Sequence, residues 1–158
     1  MSFFARLFRF APVAPQGPLE RGERALRRGA LADAEACFAE ALATAATDAA
    51  RALAHNKRAL VAIARGDRAA AQAAVDEALA TYAACVPAMV NAGNLLLEAG
   101  DLAGAIERLE TAVKLDPDYP EAHHNLGVAY KRAGRRSDAV RELRRATGLE
   151  RRRQKGRP

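Results

Sequence analysis

A repeat with a period of 34 residues constrains what this chain can fold into more than any other feature. Arg65–Leu79, Ala99–Val113 and Ala133–Thr147 align without gaps, which sets Gly66, Gly100 and Gly134 in register. An earlier copy, Arg28–Leu42, carries Gly29 in the same place but 37 residues before Gly66, so three extra residues precede the second copy. A small residue recurs five positions after each glycine, at Ala34, Ala71, Ala105 and Ala139, and again seven further on, at Ala41, Ala78, Ala112 and Ala146. A period of this length marks one supersecondary unit copied along the chain. A single unit cannot bury its own apolar face, so stacked copies share one continuous core.

Each unit reads as two helices. About a quarter of the residues are alanine, with only seven Pro and eleven Gly, so helix formers dominate and the fold class is all-α. Seven positions before each glycine stands a small residue, Gly22, Ala59, Gly93 or Gly127, where a neighbouring helix can approach closely; Gly93 and Gly127 are expected where helices of adjacent layers touch. The glycine supplies the left-handed turn that ends the first helix, and Asp67 or Asp101 after it can cap the second. Pro87 and Pro120 fall in the first turn of the next unit, where a missing amide proton is harmless. The spacing predicts helices over 18–28, 31–45, 51–65, 68–81, 87–99, 102–115, 120–133 and 136–150. In the last, Val140, Leu143 and Ala146 form the inward stripe, while Arg136, Arg141, Glu142, Arg144 and Arg145 give the solenoid a polar outer side.

This pattern resembles the tetratricopeptide repeat family. Val86–Tyr119 is the closest copy, with Gly93, Leu96, Gly100, Asp101, Ala105, Leu109, Ala112 and the closing Leu115-Asp116-Pro117 in the family's places. Pro120–Leu149 follows through Asn125-Leu126-Gly127, Tyr130, Gly134, Ala139, Leu143 and Ala146. The two N-terminal copies are degenerate: Arg21 and Arg58 stand where the family has an apolar residue, and neither copy ends in proline. The resemblance implies a right-handed solenoid of about four helix-turn-helix repeats that binds partner proteins in a concave groove. It also implies that the fifth, ninth and twelfth positions of each first helix line that groove. These are Leu19, Glu23 and Leu26, then Asn56, Leu60 and Ile63, then Val90, Asn94 and Leu97, then His124, Val128 and Lys131. Asn91 and Asn94 match asparagines common in the family, whose amides can bond an extended peptide backbone; interhelical bonding or solvation is the equal alternative. The subtype that grips an acidic peptide terminus is not matched, because Leu53 and Glu121 occupy places where it needs a basic residue.

Catalytic and metal-binding chemistry finds no support. There is no nucleophile with a supporting motif and no glycine-rich phosphate loop, and Glu121 and His124 make one Glu-x-x-His pair where a dimetal site needs two. Neither an enzyme nor a cofactor is expected. His123 and His124 lie about 100° apart on a helix and cannot both point inward; both read as solvated or groove-edge side chains. Cys37 and Cys85 are far apart and outside any CxxC, so they read as reduced thiols of a cytoplasmic protein. No apolar run approaches the roughly 20 residues that span a bilayer.

Two flanks complete the expected organisation, with a lead segment and linker at 1–14, four repeats at 15–149 and a basic tail at 150–158. In residues 3–11, Phe3, Phe4, Leu7, Phe8 and Phe10 share one helical arc opposite Arg6 and Arg9. This is a short amphipathic helix that could dock on the chain itself, on a second copy or on a lipid surface. The net charge of +6 is concentrated at the other end, where residues 131–158 hold twelve Lys or Arg against three acids. Without an aromatic residue for base stacking, that tail attracts nucleic acid or anionic lipid only nonspecifically. The expected function is a non-enzymatic adaptor that binds a peptide or helix of a partner protein in the groove. The alternative is a membrane-surface or nucleic-acid-associated assembly factor held by its two flanks.

Overall fold

The computed structural model describes residues 17–156, and these form eight helices. They are α1 (Pro18–Arg27), α2 (Leu31–Thr44), α3 (Asp48–Ala64), α4 (Arg68–Thr81), α5 (Val86–Ala99), α6 (Leu102–Leu115), α7 (Pro120–Arg132) and α8 (Arg136–Lys155). The amphipathic helix expected over 3–11, with Phe3, Phe4, Leu7 and Phe8, lies outside the described residues. The register glycines act as the spacing predicts. At Gly100, φ is +85°, a left-handed conformation that frees its amide to bond back to the Leu97 carbonyl at 3.2 Å and turns the chain out of α5. Asp101 then accepts from the Gly104 amide at 2.9 Å, and Asp67 from the Ala70 amide at the same distance, so each caps the helix that follows.

Two helix boundaries differ from those predicted by more than one residue. Helix α3 starts at Asp48 rather than residue 51, because Thr47 accepts from the Ala50 amide at 3.1 Å and caps an additional turn. The three extra residues of the second copy thus lengthen a helix instead of a loop. Helix α8 runs to Lys155 rather than residue 150, since Arg, Gln and Lys continue a helix readily and no breaker stands between Glu150 and Gly156. Most of the expected tail is therefore helical.

Consecutive helices pack against one another from α1 to α8. Among the described residues α1 also touches α3, α3 touches α5 and α5 touches α7, whereas the even-numbered helices touch none of their own kind. Elements that crowd on one side and splay on the other make a curved stack. The odd helices line its concave face and the even helices its convex face.

Within each repeat the small residue of the first helix is matched to the size of the side chain sixteen positions later on the second. A Cβ on Gly93 would stand 2.6 Å from Cγ of Leu109, and one on Gly127 would stand 2.7 Å from Cγ of Leu143. Gly22 lies equally close beneath Phe38. At the same register in the second repeat, Ala59 lies in one cluster with the smaller Val75. The contact is thus between the two helices of one repeat, not between adjacent layers as expected, because the glycine face turns to its own hairpin partner. The eight register alanines are all buried, completing the interface.

The last helix departs from its expected orientation. Its inward side is made by Ala139, Glu142, Ala146 and Leu149, while Val140 is 47% exposed and Leu143 sits at the edge. Glu142 is drawn inward by His123, whose Nδ1 lies 2.8 Å from its carboxylate and whose Nε2 lies 2.9 Å from the Pro117 carbonyl oxygen. His123 is accordingly buried and bonded rather than solvated, and His124 is the exposed one of the pair.

Tyr130 joins the third repeat to the fourth. Its hydroxyl donates to Glu110 at 2.6 Å, and the Arg135 guanidinium lies 4.1 Å from its ring centroid. Burial first, then the bond to Glu110, pushes its pKa up to about 12. An unfolded tyrosine loses its proton near pH 10. This residue's contribution is therefore intact below that pH and declines as pH rises toward 12, by at most about 1.4 kcal/mol per pH unit. Denaturant melts of the wild type and Tyr130→Phe across pH 9–12 should show the steeper loss in the wild type; parallel curves would contradict this account.

Candidate binding groove

The concave face carries a recess of about 240 Å³ built from three odd helices and the turn before α7. Helix α3 contributes Leu53, Asn56, Lys57 and Leu60, α5 contributes Pro87, Val90, Asn91 and Asn94, and the third wall is Tyr119, Glu121 and Asn125. These residues fall at equivalent places in the period: Leu53, Pro87 and Glu121 form one row, Lys57, Asn91 and Asn125 another. The i, i+4, i+7 spacing along each helix puts both rows on one face with Leu60 and Asn94.

Of the groove residues expected from sequence, the recess brings together Asn56, Leu60, Val90, Asn91 and Asn94. Ile63, Leu97, His124, Val128 and Lys131 are not part of its lining. Leu97 is buried in the core and Val128 packs against the same cluster, whereas Ile63, His124 and Lys131 face solvent. The twelfth position has rotated off the face. The residues that sequence reasoning left out of the groove are Leu53, Lys57, Pro87, Tyr119, Glu121 and Asn125, and the signal for most of them was the same period read one helical step over.

The polar groups in the recess divide into engaged and open ones. Asn91 donates its side-chain amide to Asn56 at 2.7 Å, tying α5 to α3 across the repeat boundary, and Asn56 itself is only 2% exposed. One pair of asparagines thus serves the interhelical role. Lys57 is paired with Glu23 of α1, and Glu121 with Arg153 of α8 at 3.1 Å, so the two charges at the edges are partly neutralised. Asn94 and Asn125 have no hydrogen-bonding partner among the described side chains, leaving amide donors and acceptors open to the recess. Burial, followed by the nearby Glu121 carboxylate, raises the Tyr119 pKa, which keeps its phenol neutral and able to donate or accept. Apolar walls with a few convergent amides suit a neutral backbone better than a charged small molecule. Among the described residues no three His, Cys, Asp or Glu side chains gather in a metal-binding cluster.

Residues 93–134 match the family model described as a TPR repeat, and residues 120–153 match the one described as a tetratricopeptide repeat. The chain is a tetratricopeptide-repeat protein. The models reach only its C-terminal part, and the structure carries the same hairpin through the two earlier copies, whose register glycines and buried alanines are intact. No curated protein matches the chain. Among solved structures, PilF of Pseudomonas aeruginosa is 24% identical with a TM-score of 0.71, over 85% of this chain and 60% of its own. TTC0263, a thermophilic TPR protein of Thermus thermophilus, is 22% identical with a TM-score of 0.70, over 84% and 73%. The second TPR of Spaghetti (RPAP3), solved bound to the HSP90 peptide SRMEEVD, is 19% identical with a TM-score of 0.58, over 62% and 91%. At these identities the likeness is one of fold. The fold of this tetratricopeptide protein is that of a protein-interaction scaffold.

Proposed function

We propose that this tetratricopeptide protein is a non-enzymatic adaptor whose concave groove binds a segment of a partner protein. The observation that carries the reading is the continuous recess across α3, α5 and the start of α7, apolar at Leu53, Leu60 and Val90 and open-ended in its amides at Asn94 and Asn125. An extended segment presents alternating backbone donors and acceptors, which such amides can meet, while its side chains enter the apolar places between them. The Spaghetti repeat of similar fold holds an acidic peptide. Here Leu53 and Glu121 line the recess, so a segment with apolar or basic side chains fits better than an acidic terminus.

Peptides selected from a displayed library on the wild-type protein supply the test. Binding should weaken about tenfold or more, equivalent to at least about 1.4 kcal/mol, for Leu60→Glu and for Asn94→Ala. Raising salt from low to physiological concentration should change the affinity little, because apolar burial is not screened, whereas contacts to several phosphates would lose orders of magnitude. Selected peptides that ignore both substitutions and dissociate with salt would refute groove binding.

A further inference from the structure

The outer face of α8 repeats the surface that α6, the second helix of the preceding repeat, uses to stack α7. Val140, Leu143 and Thr147 stand one period after Ile106, Leu109 and Val113 of α6. There, Ile106 and Val113 are partly buried in the cluster that also holds Ala122, Leu126, Ala129 and Tyr130 of α7. On α8 the inner edge of Leu143 rests on Gly127, but nothing among the described residues covers Val140 or Thr147. Val140 and Thr147 are exposed, and a recess of about 410 Å³ runs along Val140, Leu143, Arg144, Thr147, Gly148 and Arg151. Gly148 has nothing within 4 Å of where a Cβ would stand, so it leaves a notch in that recess.

Charge separates this face from its counterpart. On α6 the flanking position is Glu110, which receives the Tyr130 hydroxyl of the helix stacked there; on α8 the same position is Arg144. Other cations of α8 are engaged: Arg141 with Asp138 and Glu142, Arg145 with Asp118, Arg153 with Glu121. Arg144 and Arg151, which border the apolar recess, form no ion pair among the described residues. Arg136, Arg152 and Lys155 are also without an ion pair among the described residues, but of the α8 cations only Arg144 and Arg151 line the recess.

We propose that this face docks an amphipathic helix of a partner protein, laid as α7 lies on α6, with acidic residues flanking its apolar stripe. The stacking geometry specifies a helix, and the arginines specify acid. The chain's own residues 3–11 contain Arg6, Arg9 and no acid, so they are mismatched to this face. A second copy joined through the same face would set Arg144 and Arg151 against their equals.

The test uses the full chain and a fluorescein-labelled synthetic helix bearing the Ala122, Leu126, Ala129 and Tyr130 spacing of α7, with glutamates at the flanking positions. A version with lysines at those positions and phosphatidylcholine vesicles containing phosphatidylserine are the comparison probes. The glutamate helix should bind at least about tenfold tighter than the lysine helix and lose at least that factor on Val140→Glu, an exposed position that leaves the core untouched. Arg144→Glu with Arg151→Glu should reverse the preference, and Leu60→Glu in the groove should leave binding unchanged. No binding of the glutamate helix, binding indifferent to Val140→Glu, loss on Leu60→Glu, or capture of the vesicles with no peptide binding would each overturn the proposal.

Discussion

Replacing Gly93 with alanine is expected to cost about 1–3 kcal/mol, and pairing it with Leu109→Val to recover most of that loss. The added Cβ would stand 2.6 Å from Leu109 Cγ, and Leu109 is fully buried, so it has nowhere to move. Shortening it to valine recreates the combination found at Ala59 and Val75. On its own Leu109→Val should cost about 0.5–1.5 kcal/mol from the space left behind. Denaturant unfolding of the two single variants and the double variant closes the cycle. Strict additivity would mean that the two positions do not share the contact described here.

A larger effect is expected at Phe38, the biggest wholly buried side chain among the described residues, which fills the space over Gly22 among Ala25, Ala34 and Val61. Phe38→Ala should cost about 3–5 kcal/mol, and the loss should be local. Each repeat touches only its neighbours, so the first hairpin can come apart while the later ones stand. Hydrogen exchange should show protection lost over residues 18–44 and kept over α5–α8. A uniform loss along the whole chain would show that the solenoid unfolds as one unit.

The repeat was legible because its determinants are local and periodic. Gly29, Gly66, Gly100 and Gly134, the register alanines and the capping aspartates all declare themselves within one period, and all occupy the places that the period assigns. The missed helix start had a local signal too, the Thr47-Asp48 pair, but counting from the period hid it. What escaped depended on partners distant in the chain. Glu142 looks like a surface residue until His123, nineteen positions earlier, is placed beneath it. Arg21 and Arg58 look like flaws in an apolar register until their acids are seen: Arg21 pairs with Glu40, and Arg58 reaches back to Glu35 at 2.7 Å. The groove was half legible for a geometric reason. The fifth and ninth positions are correctly faced through the middle repeats, but a 3.6-residue turn carries the face over the second and sixth positions rather than the twelfth.

The one-sided pattern of helix contacts gives the molecule a built-in compliance. Because α1, α3, α5 and α7 touch in sequence while α2, α4, α6 and α8 do not touch one another, the inner row behaves as a spine and the outer row as spread ribs. Rotations of one repeat on the next are resisted chiefly where each outer helix meets the following inner one, α2 on α3, α4 on α5 and α6 on α7, and they change the width of the concave side. The stack is therefore a shallow spring. The packed surface is mostly alanine methyl groups around the second repeat, whereas Phe38 fills the first and Met89, Leu109, Leu126 and Tyr130 interlock in the later two.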